Sequence, residues 1–316
     1  MNYTRIAKAV VETPWAITRD KLNEIEAFLE FQMVGGKFTG DELRARFGEG
    51  PTAPQPAKRG AIAVIPLHGV ISHRMGGMTE MSGGMSTERF AKMFREAMAD
   101  DSVSAIVADI DSPGGTIAGV TELFGEIMAA RGHGKKLYAH INALGASAAY
   151  WIAAAFDEVW ATPSAMVGSI GIIAAHLDAS KAEEREGVTR TTFTAGKFKG
   201  EGHGPLSDEA KAAIQGRLDE AYVVMSGDIG KGRGVTPAAV RGGFGEGRVV
   251  SAKEGLKLGM VDKIGTFDQL VGKLAGRAST GMRAEEEPLP AMAIEAAPVA
   301  VTADPFLDMV DRLERF

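Results

Sequence analysis

The stretch "ALGASAAYW" (143–151) sets one hydroxyl, Ser147, among small apolar residues and just ahead of an aromatic pair. The strand-like run "LYAHINAL" precedes it, and a helix beginning at about Ala146 would put Ser147 in the first turn. Unpaired N–H groups and the positive end of the helix dipole surround a side chain there. The N–H of Ala148 would then be a donor for a developing oxyanion. Serine at a helix start is also a common cap, so position alone leaves capping and nucleophilic chemistry both open. A second stretch, "DIDSPGGTIAGV" (109–120), ends a strand in a Pro and a glycine pair, Gly114 and Gly115, before a helix. Glycines at such a junction let backbone N–H groups face an anion, though Pro-Gly-Gly is also ordinary turn punctuation. A third, "TFTAGKFKGEGHG" (192–204), carries Lys197 and Lys199 in a turn after a strand-like segment. Loop lysines are usually solvated. A lysine serves as general base only where burial lowers its free pKa of about 10.4 by roughly three units, about 4 kcal/mol. The two lysines are two residues apart and would share a face of an extended chain, so spacing does not choose between them.

Other catalysts are poorly supported. His68, His73, His133, His140, His176 and His203 show no metal-ligand spacing. The serine lacks a G-x-S-x-G elbow, reading "LGASA" instead. "GRGVTPAAVRGGFGEG" is glycine-rich but follows no strand as a dinucleotide site requires. With no cysteine, thiolate chemistry, disulfides and cysteine-ligated zinc are excluded. Neither a metal nor a cofactor is expected.

The elements that must position these loops can be read from periodicity. Residues 1–47 read as helical, with Leu22, Ile25, Phe28 and Leu29 at helical spacing, and "GEGPTAPQPAKRG" (48–60) as a linker. Strand-like and helix-like segments alternate over 61–275, from "AIAVIPLHGVI" and the capped helix "STERFAKMFREAMAD" to "GSIGIIAAHLD" and "VTRTTFTAG", both read as strands, and a long helix from Ser207. That alternation indicates an α/β layer fold. The expected division is an extension and linker over 1–58, a catalytic domain over 59–276 and an acidic Ala/Pro/Glu-rich flexible tail over 277–316. The 316 residues are 45% hydrophobic, enough for a core, and 41 acidic against 35 basic side chains leave a net charge of −6. An acidic chain does not fit nucleic acid as its main partner. The N-terminus is interrupted by Arg5, Lys8, Glu12 and Arg19, and the apolar run 141–156 falls short of the roughly 20 residues that cross a bilayer. A protein without a secretory signal or membrane anchor, in the cytoplasm, is expected.

Taken in order, "DSPGG", "GASAAYWIAAAFDEVWATPSAMVGSIGII" and "AGKFKG" resemble the signal peptide peptidase A (protease IV) group of Ser–Lys peptidases over roughly residues 60–275. The resemblance implies a crotonase/Clp-protease-like α/β fold. It implies Ser147 as nucleophile, Lys199 as base, Ser169 of "VGSIG" as the group orienting the lysine, and the N–H groups of Gly114 and Ala148 as the oxyanion hole. "SAAYW" departs from the Gly-Gly that commonly follows the serine. A single-repeat enzyme with a helical extension and an acidic tail resembles most the head-maturation proteases of tailed phages. That implies a homo-oligomer whose active sites line an interior. It also implies peptide or unfolded-protein substrates with small P1 residues, and capsid scaffold or portal proteins as partners, in the host cytoplasm or procapsid interior. The alternatives are a soluble cellular peptidase clearing signal peptides, a crotonase-like acyl-CoA enzyme, and an inactive shell component.

Overall fold

The computed structural model describes residues 12–33, 56–59, 61–74, 84–178, 180–185, 187–202 and 204–276. The alternating segments after residue 60 fold as two sheets with helices packed on them, the expected α/β class. The N-terminal segment gives β1 (Trp15–Ile17) and α1 (Arg19–Met33), so this part of the expected helical extension begins with a strand. Within the expected linker, Ala57–Arg59 form β2, antiparallel to β3 (Ile62–His68). The short strands β4 (Ile71–Ser72) and β5 (Met85–Ser86) lead into α2 (Thr87–Ala99), whose N-cap hydroxyl, Ser86, accepts from Arg89 N at 3.1 Å.

Next come β6 (Ala105–Ser112), β7 (Gly114–Thr116), α3 (Val120–Ala130), β8 (Lys136–Ala146) and α4 (Ala148–Ala153). The glycine pair therefore belongs to a strand, and α3 starts only after Gly119, not at the Pro-Gly-Gly turn. Strand β9 (Glu158–Ala161) and strand β10 (Met166–Gly168) follow. The expected strand "GSIGIIAAHLD" shrinks to the end of β10 and a single antiparallel bridge from Ile173 to Trp15. After α5 (Ser180–Arg185), residues 188–199 are exposed and no strand is assigned to them, although "VTRTTFTAG" alternates like one. Alternation makes a strand only where a partner edge and a buried face are present. The chain continues through α6 (Asp208–Arg233), α7 (Pro237–Gly243), β11 (Val249–Ser251), α8 (Ala252–Lys257), β12 (Lys263–Ile264) and α9 (Phe267–Leu274). The expected tail, 277–316, lies outside the described residues.

Strand β8 organises the site. Its first half runs parallel to β6 on one side, from Ala105↔Lys136 to Ile110↔Ile141, and to β9 on the other. The register with β6 then shifts, and its last residues, Leu144–Ala146, run parallel to β10. The loops after β6, β8 and β10 are thereby drawn to one end of the sheet. Side-chain alternation supplies two apolar faces. Ile106, Ala108, Ile110, Leu137, Ala139 and Ile141 join the main core with α2, α3 and α4, while Val107, Tyr138 and Trp160 pack with Leu270 of α9. Burial on both faces is why β6 reads as a nearly continuous apolar run.

Candidate active site

Helix α4 is fixed from its far end. Every residue from Ala148 to Phe156 is almost wholly buried. The Tyr150 hydroxyl donates to Met260 O at 2.9 Å and Trp151 Nε1 to Asp228 Oδ2 at 3.0 Å. The Arg131 guanidinium gathers the carbonyls that end the helix: Nε donates to Ala155 O at 2.8 Å, and the terminal nitrogens reach Ala154 O at 3.1 Å, Phe156 O, and Gly232 O of α6. Gly232 lets α6 approach this end closely, since a Cβ there would lie 2.1 Å from Ala154 O. These bonds hold the opposite end of α4, and Ser147 with it, in one place.

Ser147 is the residue between β8 and α4, at φ 54° and ψ −116°, with no exposed surface. Positive φ is costly for a residue with a Cβ. Among the described residues other than glycine only Ser147, Ser169 and Glu246 adopt it. The serine occupies the N-cap position, yet its side chain caps nothing. Its Oγ instead lies 3.4 Å from Gly171 O, and its N–H donates to Gly168 O at 2.6 Å. The capping explanation open at the level of sequence is therefore excluded. A backbone held off its preferred region, with the hydroxyl released from local duty, is what a presented nucleophile requires.

Three of the other expected residues lie here. Gly114, at φ 99°, leaves room only for its own hydrogen: a Cβ would lie 3.0 Å from Ser147 Cβ and 2.2 Å from Ala16 O. Its N–H donates to Ser112 Oγ at 3.1 Å, and that hydroxyl donates to Gly69 O at 2.6 Å. Ser169 follows the carbonyl that receives the Ser147 N–H, has φ 51°, and donates its own N–H to Arg248 O at 2.8 Å. Ala148 is the first residue of α4, whose leading N–H groups have no partner inside the helix. A groove of about 750 Å³ opens beside Ser169 and Pro113, with Leu144, Met166, Val249 and Arg19 among its lining residues.

The lysines are not gathered. Lys199 is exposed on a turn closed by its N–H to Gly196 O at 3.1 Å, and the hydrogen bonds of Ser147 go to Gly168 and Gly171. Lys197 pairs with Glu209 at 3.1 Å and lies 4.5 Å from the centre of the Phe198 ring. Among the described histidines, His176 bonds Glu12 at 2.9 Å and His68 bonds Asp109 at 3.2 Å, and no acidic or histidine cluster among the described residues is arranged for a metal. Sequence reasoning missed β1, which pairs antiparallel with β7 beside the serine. Its signal was the short apolar run "WAI" after Pro14.

Residues 129–280, which hold Ser147, Ser169 and both lysines, match the model of peptidase family S49. That stretch, just under half of the chain, is similar to peptidase family S49. The head-tail preconnector protein GP5 of Enterobacteria phage P21 is 29% identical over 70% of this chain and 44% of its own length. The capsid assembly protease C of Escherichia phage lambda is 28% identical over 64% of this chain and 46% of its own length. A putative signal peptide peptidase SppA of Enterococcus faecium is 26% identical over 71% and 65%. The chain thus spans 44 to 65% of the length of these relatives. Among solved structures, a ClpP1 mutant from Listeria monocytogenes is similar with a TM-score of 0.41 and 14% identity, over 65% of this chain and 92% of that one. No helix among the described residues is long and apolar enough to cross a membrane.

Proposed function

We propose that the chain is a serine endopeptidase in which Ser147 is the nucleophile and Lys199 the general base. The observation that carries this reading is Ser147 itself: buried, at positive φ, uncapping, and in contact range of Gly114. The lysine, uncharged when buried, takes the serine proton as Oγ attacks the peptide carbonyl carbon. The N–H groups of Gly114 and Ala148 receive the oxyanion, which needs Ser112 to yield the Gly114 N–H it now accepts. The protonated lysine passes its proton to the leaving amine, and the same base then activates water to release the acyl group. Ser169 orients the amine. No cofactor enters these steps.

Because Lys199 is exposed in the single chain, the base acquires its buried setting in a homo-oligomer, where the 188–199 segment packs against a second copy. The two phage relatives support a role in capsid assembly. In that role the chain degrades scaffold and itself, with scaffold or portal proteins as partners, in the host cytoplasm or procapsid. The Enterococcus relative supports a second reading, a cellular peptidase acting on signal peptides. Both favour small P1 residues.

The test is a mass-spectrometric time course of the purified chain with an unfolded Ala-rich substrate. Wild type is expected to cleave the substrate or its own tail, and Ser147→Ala and Lys199→Ala to lose activity by about a thousandfold or more, while Lys197→Ala keeps it. Activity in Lys199→Ala with loss in Lys197→Ala would move the base by two residues. Activity surviving in Ser147→Ala would remove the Ser–Lys reading.

A further inference from the structure

The serine that the proposed chemistry needs has no exposed surface, and a strand of the chain's own N-terminal segment lies against the same glycine. Strand β1 enters the small sheet at its edge, antiparallel to β7, in the register Trp15↔Thr116, Ala16↔Gly115, Ile17↔Gly114. Its other edge is taken as well: Trp15 N donates to Ile173 O at 2.8 Å, and Ile173 N returns to Trp15 O at 2.9 Å. Thr18 N donates to Pro113 O at 2.9 Å and closes the ladder at the glycine turn. An extended peptide reaching Gly114 would use the same two backbone edges, the mode by which strands are added to open sheets. While β1 is in place both are filled.

The contact reaches the nucleophile. The point where a Gly114 Cβ would stand is 2.2 Å from Ala16 O and 3.0 Å from Ser147 Cβ, so β1 and the serine flank the same glycine. Trp15, Ala16 and Ile17 are 7, 0 and 4% exposed, and Ser147 is 0% exposed. No substrate carbonyl can approach a serine with no open surface. The plug is also small: a three-residue strand, a satellite cluster of Trp15, Ile17 and Leu22 with Ile25, Val70 and Ile173 around it, and the Glu12–His176 pair at 2.9 Å. Its covalent tether keeps the effective concentration high, so weak contacts suffice to hold it and a substrate can still displace it.

We propose that residues 15–17 act as an autoinhibitory strand, a built-in occupant of the peptide-binding edge that must leave before Ser147 can react. The proposal rests on the reading of Ser147 as nucleophile. It predicts that freedom of β1, not chemistry at the serine, limits the resting enzyme. The natural chain has no cysteine, so a single disulfide can lock the strand. Trp15 and Thr116 are directly paired, a spacing that a cross-strand disulfide spans.

The double variant Trp15→Cys/Thr116→Cys is compared with itself, oxidised and reduced, by the rate at which a fluorophosphonate labels Ser147 and by peptide hydrolysis. Both rates are expected to fall at least about tenfold on oxidation and to return on reduction. Equal rates in the two redox states, or a faster oxidised form, overturn the autoinhibitory strand while leaving the nucleophile intact. Absence of labelling in wild type as well as in both forms removes the nucleophile and the inference with it. Should the variant not fold, hydrogen exchange on the wild-type chain decides. Amides of residues 15–18 lose protection when a peptidyl aldehyde occupies the serine, and unchanged protection refutes the proposal.

Discussion

At the scale of single residues, the site is built from conformations rather than from charges. Ser147 and Ser169 both pay backbone strain, and Gly114 stands where no other residue fits. Charge matters elsewhere, on the outer face of the larger sheet. There the Asp109 carboxylate, hydrogen-bonded at 3.2 Å, raises the His68 imidazole above its ordinary value against the opposing effect of partial burial. A raised folded-state pKa means that the pair contributes its full stability below about pH 6.5 and loses it as pH rises through the folded value. Chemical unfolding of wild type and His68→Gln between about pH 5.5 and about pH 8.5 is expected to show the wild-type advantage shrinking as pH rises. An advantage that grows with pH would exclude the ion pair. Local sequence left Ser147 open as a helix cap and Gly114 as turn punctuation; the family resemblance singled them out, and the structure sets the two side by side. The setting of Lys199 was not legible, because burial of a loop lysine depends on what packs over it.

At the scale of elements, α4 shows how a short helix of small residues is made rigid. Alanines bring its neighbours close, and Arg131 satisfies the carbonyls at its end. Arg131→Ala leaves several of those carbonyls unpaired and is expected to cost about 1–3 kcal/mol in urea unfolding, with Arg131→Lys recovering only part, since an ammonium cannot copy the planar fork. A loss no larger than that of an exposed arginine such as Arg59 would show that the helix end is held by packing alone. Most of the α/β core was legible because its strands are buried on both faces and two of its helices are capped by Ser86 and Ser207, whereas the short helix capped by Thr266 was not read. The failures were strands whose identity is set by partners. Residues 188–194 alternate without an edge to join, whereas Trp15–Ile17 and Ala57–Arg59 are too short to show a period and become strands by pairing.

At the scale of the molecule, the 188–199 segment is the surface that asks for a neighbour. Phe193 is 91% exposed, with Phe198 at 51% and Val188 at 49%. Large apolar groups at this density mark an interaction surface, which in the proposed homo-oligomer faces a second copy. An aromatic anchor is worth about 2 kcal/mol or more, so Phe193→Asp is expected to raise the self-dissociation constant at least about thirtyfold. Light scattering should then show smaller particles, and peptidase activity should fall with them. Unchanged mass and activity would place the interface elsewhere. One feature of the N-terminal segment gives this chain an optical reporter. Its three tryptophans are Trp15, Trp151 and Trp160, and only the first belongs to the N-terminal segment. Trp15 is 7% exposed, on the strand that flanks Gly114 opposite Ser147. Its emission therefore shifts to the red whenever that strand meets water, so opening of the site can be followed by fluorescence without a label.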